Sequence, residues 1–167
     1  MQQRVYNAKL LLFGEYTIIH GSQALALPLT HYSAKWTHRP IKEQDPIKRK
    51  YLLGLANYLK VQVEGFNFDI DGSAFLEDLQ NDLYFESNIP IGYGVGSSGA
   101  LTAGVYDRYG KGVINPQLSV LKNNLAKIEN FFHGSSSGID PLICYLDQII
   151  LLESKGCLLY TSPSPRD

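Results

Sequence analysis

The 167 residues of the chain are 44% hydrophobic and 19% charged, which suits one compact domain and excludes a globally disordered chain. The formal net charge of -1, with no cationic run longer than residues 48–50, argues against a nucleic-acid-binding protein. No apolar run approaches the ~18 residues of a membrane helix, and the N-terminus has no leader pattern, so we expect a cytoplasmic protein without a membrane partner.

The first part of the chain carries strand patterns followed by a helix pattern. Residues 5–16 and 24–29 are rich in apolar and aromatic side chains and predict strand, turn, strand. The alternation over residues 32–38 predicts another strand with one wet face. Apolar residues then recur at spacings of three and four over residues 47–59, which predicts a helix.

The middle of the chain is built from shorter elements. Alternation over residues 61–70 predicts a strand, and Asp71-Gly72 predicts a turn before an amphipathic segment at residues 75–79. Residues 83–87 again have the composition of a strand. This strand leads directly into a glycine-rich loop.

The second half of the chain has helix patterns with recognisable ends. Residues 101–109 follow the glycine-rich loop and predict a helix that Gly110 ends. A longer helix is predicted from Asn115 as N-cap and Pro116 as first residue to His133-Gly134. A short apolar helix through residue 144 and a strand at residues 148–152 complete an α+β domain. Its cysteines fit neither a zinc site nor a disulfide framework.

The glycine-rich loop at residues 90–100 is the strongest functional signal. Glycines let backbone N–H groups approach an anion, and the N-terminus of the following helix adds partial positive charge, so the loop predicts a phosphate ligand. Its GxGxxG substring lacks the acidic residue about 20 positions later that a Rossmann unit needs, and no lysine follows as in a Walker A loop. A tight helix entry without a ligand is the alternative interpretation.

Three motifs in order resemble one family. The loop PIGYGVGSSGA is similar to the PxxxGLGSSA signature of the GHMP kinases, which include galactokinases, homoserine kinases, mevalonate kinases and phosphomevalonate kinases. Residues 9–21, KLLLFGEYTIIHG, resemble the first motif KVxLFGEHxVVxG of that family, and residues 129–140 resemble the E-xxx-HG-xx-SG-x-D stretch of its mevalonate kinases. The chain departs from the pattern at Asn7-Ala8, where the family has Pro-Gly, and at Tyr16, where it has histidine.

This resemblance implies the N-terminal, ATP-binding domain of a GHMP kinase, an α+β fold like ribosomal protein S5 domain 2, with a C-terminal ferredoxin-like domain lying beyond the chain. Asp140 matches the catalytic carboxylate that takes the proton of the substrate hydroxyl, and Lys9 matches the lysine that pairs with it. Ser98 and Glu129 match ligands of Mg²⁺ on ATP. The remaining implied ATP-binding positions are Gly92, Gly94, Gly96, Ser97, Gly99 and Ala100, and those for the acceptor substrate are Glu15, Tyr16 and His20.

The implied reaction is ATP-dependent phosphorylation of a small-molecule alcohol, with mevalonate, converted to 5-phosphomevalonate in isoprenoid biosynthesis, as the expected acceptor. The alternatives are another GHMP enzyme (phosphomevalonate kinase, a sugar kinase or diphosphomevalonate decarboxylase) and a non-catalytic nucleotide-binding module. We expect this fragment alone to be inactive. For the full-length protein, a homodimer is one of the oligomeric states that the sequence leaves open. Among single residues, Asp140 also fits a mere helix N-cap, and Glu129 a solvated glutamate.

The last eleven residues, 157–167, break with what precedes them. They read CLLYTSPSPRD, turn rich in serine and proline, and show neither helix nor strand periodicity. The segment resembles a translated sequencing adapter, so we expect the natural domain to cover residues 1–156 and the tail to be non-native.

Overall fold

The computed structural model describes residues 4–13, 23–61, 68–111, 116–152 and 158–160. Within these residues, the strands are β1 (Val5–Phe13), β2 (Ala24–His38), β3 (Asp69–Ile70), β4 (Leu83–Ser87), β5 (Gly110–Lys111), β6 (Ile150–Leu152) and β7 (Leu158–Tyr160). The helices are α1 (Pro46–Val61), α2 (Gly72–Gln80), α3 (Ser97–Tyr109), α4 (Leu118–His133) and α5 (Ile139–Leu146), with a 3₁₀ turn at Ile41–Glu43. None of these helices is long and apolar enough to cross a membrane.

The long strand β2 organises the main sheet. One edge of β2 pairs with β1 along most of its length, and the other edge pairs with β6 at residues 24–26 and with β4 at residues 34–38. All these pairings are antiparallel, and β7 adds to the far side of β6. Strands β3 and β5 form a separate two-stranded sheet. Strands β1 and β4 both border β2. Lys9, the first residue of the first motif, and the entry to the glycine-rich loop therefore lie on one sheet.

Helices α2, α3 and α5 pack against this sheet. Trp36 of β2 is buried and donates its indole N–H to the carbonyl of Gly104 in α3 at 3.1 Å. A Cβ at position 104 would lie 2.9 Å from the Phe85 ring, so only glycine lets α3 come this close to β2 and β4. Helix α3 also contacts α4 and α5 and is largely buried. It is therefore the central helix, and its N-terminus is held rigidly against the neighbouring elements.

Most of the predicted elements are confirmed, with differences at their ends. The two strands predicted on either side of residues 30–31 form one continuous strand, β2. Its pairing with β1 continues past these residues through a shift of register between Asn7 and Ala8. Val61 ends helix α1 and does not begin a strand. Asp71 is an N-cap whose carboxylate accepts the N–H of Ala74 at 2.9 Å, so the turn predicted at Asp71-Gly72 is the start of helix α2, which contains the predicted amphipathic segment.

Two further boundaries also differ from the prediction. Helix α4 has Gln117 as its N-cap and begins at Leu118, so Pro116 lies before the helix, and Asn115 lies outside the described residues. The tail shows no strand periodicity in its sequence, yet the backbone of Leu158–Tyr160 pairs with β6. A short run of three apolar or aromatic residues supplies the β propensity there, ahead of the two prolines.

Candidate active site

The glycine-rich loop connects β4 to α3 through a backbone that only glycine adopts readily. Gly92, Gly94 and Gly96 all have positive φ, at +85°, +70° and +84°. Gly96 is the N-cap of α3, so the N–H groups of Ser97, Ser98 and Gly99 fall in the first helical turn, where no carbonyl of the same helix can accept them. These N–H groups and the helix dipole together make an anion-binding site of the kind that phosphates occupy.

Lys9 of β1 lies directly against this loop. Its backbone N–H donates to the carbonyl of Val95 at 2.9 Å, and a Cβ on Gly96 would lie 2.8 Å from its Cγ. Only 6% of the Lys9 surface is exposed. A buried ammonium needs a compensating partner, and Lys9 Nζ lies 2.9 Å from Oδ1 of Asp140.

Asp140 sits in the first turn of α5, whose start is tightly placed. Gly138, the N-cap of α5, has a φ of +74°, and a Cβ there would lie 2.2 Å from the carbonyl oxygen of Lys122 in α4. A Cβ on Gly99 would lie 3.0 Å from the backbone of Asp140, so α3 and α5 touch at this point. Asp140 is thus not the N-cap, and its side chain, 41% exposed, is available both to Lys9 and to a ligand.

Glu129 of α4 is buried, with 4% of its surface exposed, so the interpretation as a solvated surface glutamate is wrong. The hydroxyl of Ser98 donates to its Oε1 at 3.3 Å, and the hydroxyl of Ser136 donates to its Oε2. Ser98 Oγ also lies 3.1 Å from Nε2 of His133. When the Ser98 proton is directed at the carboxylate, the hydroxyl oxygen accepts from Nε2 in the His133 tautomer that carries a proton there.

Electrostatics at Glu129 are dominated by its burial. Desolvation raises the pKa of Glu129 above the ordinary value for a glutamate, because the charged form loses water. The hydrogen bond from Ser136 acts in the opposite direction, and the charge of Asp140 raises the pKa further. The charge of Asp140 thus acts on Glu129, although the two carboxylates stand on different helices.

The chemistry of these donors fits a magnesium ion that is shared with a ligand. No group of three or more His, Cys, Asp or Glu side chains in the described ranges could hold a metal by itself. Ser98 and Glu129 do bring one hydroxyl oxygen and one carboxylate to the start of α3. Mg²⁺ characteristically takes one or two carboxylates and completes its shell with water and phosphate oxygens. Ser98 and Glu129 are suited to that incomplete set.

A cavity of about 410 Å³ adjoins the loop on the side of α1. Its walls are mostly apolar and aromatic, and the loop side contributes Gly92, Ser97 and Ser98. Helix α1 contributes Lys48, Tyr51 and Leu52, the end of α4 contributes Phe132 and His133, and α3 adds Leu101. This is the volume and lining of a pocket for a small aromatic ligand.

The structure brings together five of the sequence-predicted residues: Lys9 and Asp140 as an ion pair, Ser98 and Glu129 as a hydrogen-bonded pair, and Gly96 between them. Glu15, Tyr16 and His20, the expected acceptor residues, lie outside the described residues. Sequence reasoning missed the contact of Ser136 with Glu129 and the cavity beside α1. The serine run at residues 135–137 was visible, but nothing in the pattern told which serine turns inward.

Comparisons with known proteins show which family the chain resembles. The family model for the GHMP kinases N terminal domain matches residues 50–148, more than half of the chain. The mevalonate kinase of Pyrococcus furiosus is 24% identical over 186 aligned residues, which cover 87% of this chain and 50% of that protein. The mevalonate kinase of Thermococcus onnurineus is 26% identical over 159 residues, covering 81% of this chain and 47% of that protein. The chain thus spans about half the length of these relatives.

A solved structure shows the same fold. The crystal structure of a mevalonate kinase superposes with a TM-score of 0.57 at 17% identity and covers 97% of this chain and 56% of that one. The expected α+β fold is therefore confirmed. With the three motifs in order, the match over residues 50–148 and the shared fold, the chain belongs to the GHMP kinase family, as an N-terminal domain.

Proposed function

We propose that the protein to which this domain belongs transfers the γ-phosphoryl group of ATP to the hydroxyl of a small molecule, with mevalonate as the acceptor. One observation carries the proposal. The Lys9–Asp140 ion pair and the Ser98–Glu129 pair flank the same helix N-terminus, so a general base and metal ligands would face one phosphate chain.

The glycine-rich loop and the adjoining cavity would together form the ATP-binding site. The free N–H groups at the start of α3 would hold the phosphates, and the apolar cavity would hold the adenine and ribose. The two features touch at Gly92, Ser97 and Ser98. A nucleotide can therefore reach from the cavity to the N-terminus of α3 without leaving the surface of the domain.

Ser98 and Glu129 would hold the magnesium ion of Mg-ATP. When bound, the ion neutralises phosphate charge and favours departure of ADP. Glu129 is suited to this because its carboxylate is already oriented by two serine hydroxyls. A preoriented ligand loses little conformational freedom when the metal arrives.

Asp140 would accept the proton of the acceptor hydroxyl. The hydroxyl oxygen forms its bond to the γ-phosphorus, the bond from that phosphorus to the bridging oxygen of ADP breaks, and the proton goes to the Asp140 carboxylate. Lys9, whose Nζ lies 2.9 Å from Oδ1 of Asp140, would hold that carboxylate by the ion pair and place a positive charge beside the transferred group. The fixed start of α5 keeps this carboxylate in place.

Mevalonate is proposed as the acceptor because the two curated relatives are both named mevalonate kinases. A non-catalytic nucleotide-binding module is the second candidate, and one observation favours it for this chain alone. The chain covers only about half the length of those relatives. If the rest of such a protein completes the kinase active site, this chain alone would bind nucleotide without catalysing the reaction.

The proposal is tested first by nucleotide binding to the chain itself. Calorimetric titration with ATP should give a dissociation constant that Mg²⁺ lowers, because both metal ligands lie in this domain. Ser98→Ala should reduce the gain from Mg²⁺ by about tenfold or more, whereas Ser119→Ala, an exposed serine on α4, should leave it unchanged. An ATP affinity that is the same with Mg²⁺ and with EDTA would contradict the assignment of Ser98 and Glu129.

A further inference from the structure

Ser136 makes three hydrogen bonds at the centre of the loop between α4 and α5. Its hydroxyl donates to Oε2 of Glu129 and accepts the N–H of Gly138 at 2.9 Å. Its backbone N–H donates to Oδ1 of Asn130 at 2.7 Å. The neighbouring Ser135 is exposed, and Ser137 caps the N–H of Ile139 at a longer 3.4 Å. Of the three serines, Ser136 alone reaches the buried carboxylate among the described contacts.

We propose that Ser136 is a positioning residue for the metal-bearing carboxylate: it fixes the rotation of Glu129 and ties it to the start of α5, which carries Asp140. This inference rests on the proposed function, since it assigns Glu129 to the metal. It concerns a residue that touches neither nucleotide nor acceptor in our proposal. Its role is carried entirely through Glu129 and Gly138.

The two carboxylate oxygens of Glu129 have different partners. Oε2 is held by Ser136, which leaves Oε1 directed toward Ser98 and the helix N-terminus. Without the Ser136 hydroxyl, Oε2 would be a buried oxygen with no donor, and the side chain would rotate to find one. The ligand geometry at Oε1 would then be lost, because both oxygens belong to one rigid group.

The Ser136 hydroxyl also links Glu129 to the start of α5. The N–H of Gly138 is held by the same hydroxyl, and Gly138 has no room for even a Cβ against Lys122. A shift at Gly138 would therefore move the first turn of α5 and with it Asp140. One hydroxyl thus connects the proposed metal ligand to the proposed base, each of which is on a different helix.

The test uses the 167-residue chain and four proteins: the parent, Ser136→Ala, Ser136→Thr and Ser135→Ala. Dissociation constants are measured for ATP with excess Mg²⁺ and for ATP with EDTA. We expect Ser136→Ala to weaken Mg-ATP binding by about 10- to 100-fold, as is typical for loss of a group that orients a metal ligand. Binding in EDTA should change less than about twofold. Ser136→Thr, which keeps the hydroxyl, should restore most of the affinity, and Ser135→Ala should match the parent.

A second readout is independent of nucleotide. Amide hydrogen exchange of Gly138, measured by NMR on the free chain, should be faster in Ser136→Ala and near parental in the threonine variant. If Ser136→Ala does not fold, Ser136→Cys, a close volume match with a weak donor, replaces it in both measurements. A uniform loss of affinity with and without Mg²⁺ would make Ser136 merely structural and overturn the inference.

The outcomes separate this inference from the proposed function. A parent whose ATP affinity is raised by Mg²⁺, together with a Ser136→Ala variant that keeps the full gain, overturns the role of Ser136 and leaves the proposed function standing. A parent whose affinity does not respond to Mg²⁺ overturns both. A selective loss of the Mg²⁺ gain in Ser136→Ala, rescued by threonine, supports both.

Discussion

The ammonium of Lys9 lies 2.9 Å from the carboxylate of Asp140, although one residue stands on the first strand and the other on the last described helix. Burial of Lys9 makes this pairing costly to break, because the ammonium would be left in a poorly hydrated place without its counter-charge. Gly96 lies against the aliphatic part of the Lys9 side chain, so the glycine-rich loop packs directly on the Lys9–Asp140 ion pair. The glycine-rich loop, Lys9 and the proposed base Asp140 are therefore packed against one another.

The glycine loop should be far more sensitive at Gly96 than at Gly94. Both have positive φ, so alanine at either should cost about 1–2 kcal/mol of backbone strain. At position 96 the new Cβ would also meet Lys9 Cγ at 2.8 Å, whereas at position 94 nothing lies within 4 Å. Thermal melting should show a clearly lower Tm for Gly96→Ala than for Gly94→Ala. Equal Tm values would mean that Lys9 does not pack on the loop.

The acid stability of the domain should depend on Asp71. Its carboxylate caps α2 and lies 2.6 Å from Lys111 Nζ, and the hydrogen bond from Lys111 lowers the pKa of Asp71 below its ordinary value. A lowered folded-state pKa means that the stabilisation is present at neutral pH and is lost as the pH falls through that value. Asn keeps the cap but does not titrate. Tm measured from pH ~5 to ~2 should thus fall more steeply in the parent than in Asp71→Asn. Parallel curves would contradict this role.

Much of the fold could be read from the sequence because its cues are local. The spacing of apolar residues gave α1 and α4, and Gly110 and Gly134 marked helix ends within a residue. The continuity of β2 could not be read, because it depends on pairing with three other strands. Likewise Asp71-Gly72 is a good turn signal, and only the helix that follows decides that it is a cap.

The candidate site also combines features that could be predicted from a single segment with features that depend on the packing of several segments. The glycine-rich loop is one continuous segment, so its place between β4 and α3 could be predicted from the sequence, and its phosphate ligand stays a prediction. The burial of Glu129 depends on α3 and α5 packing around α4, which no single segment encodes. The Lys9–Asp140 contact was expected only through the resemblance to a family, since the residues lie on opposite halves of the chain. The contact of Ser136 could not be expected at all, because three consecutive serines present the same chemistry.

The tail at residues 157–167 is proposed not to belong to the natural domain. Within the part of the tail that the structure describes, Leu158–Tyr160 pair with the outer side of β6, which itself has three residues. A strand this short at the end of a sheet adds little to stability, so we expect deletion of residues 157–167 to shift Tm by less than about 2 °C. Deletion of residues 150–167, which also removes β6, is the positive control and should lower Tm clearly. A loss of several degrees on the shorter deletion would show that the tail is an integral part of the fold.

The most direct test of the proposed phosphoryl transfer is Asp140→Asn in a full-length protein that contains this domain. Asn has the size of Asp, but it cannot accept the proton of the acceptor hydroxyl or pair as a charge with Lys9. We predict that kcat with mevalonate falls by about 10²- to 10⁴-fold, the usual contribution of a general base. The Kd for Mg-ATP should stay near the parental value, because the loop, Ser98 and Glu129 are intact. Turnover of mevalonate by Asp140→Asn at near the parental rate would contradict the account.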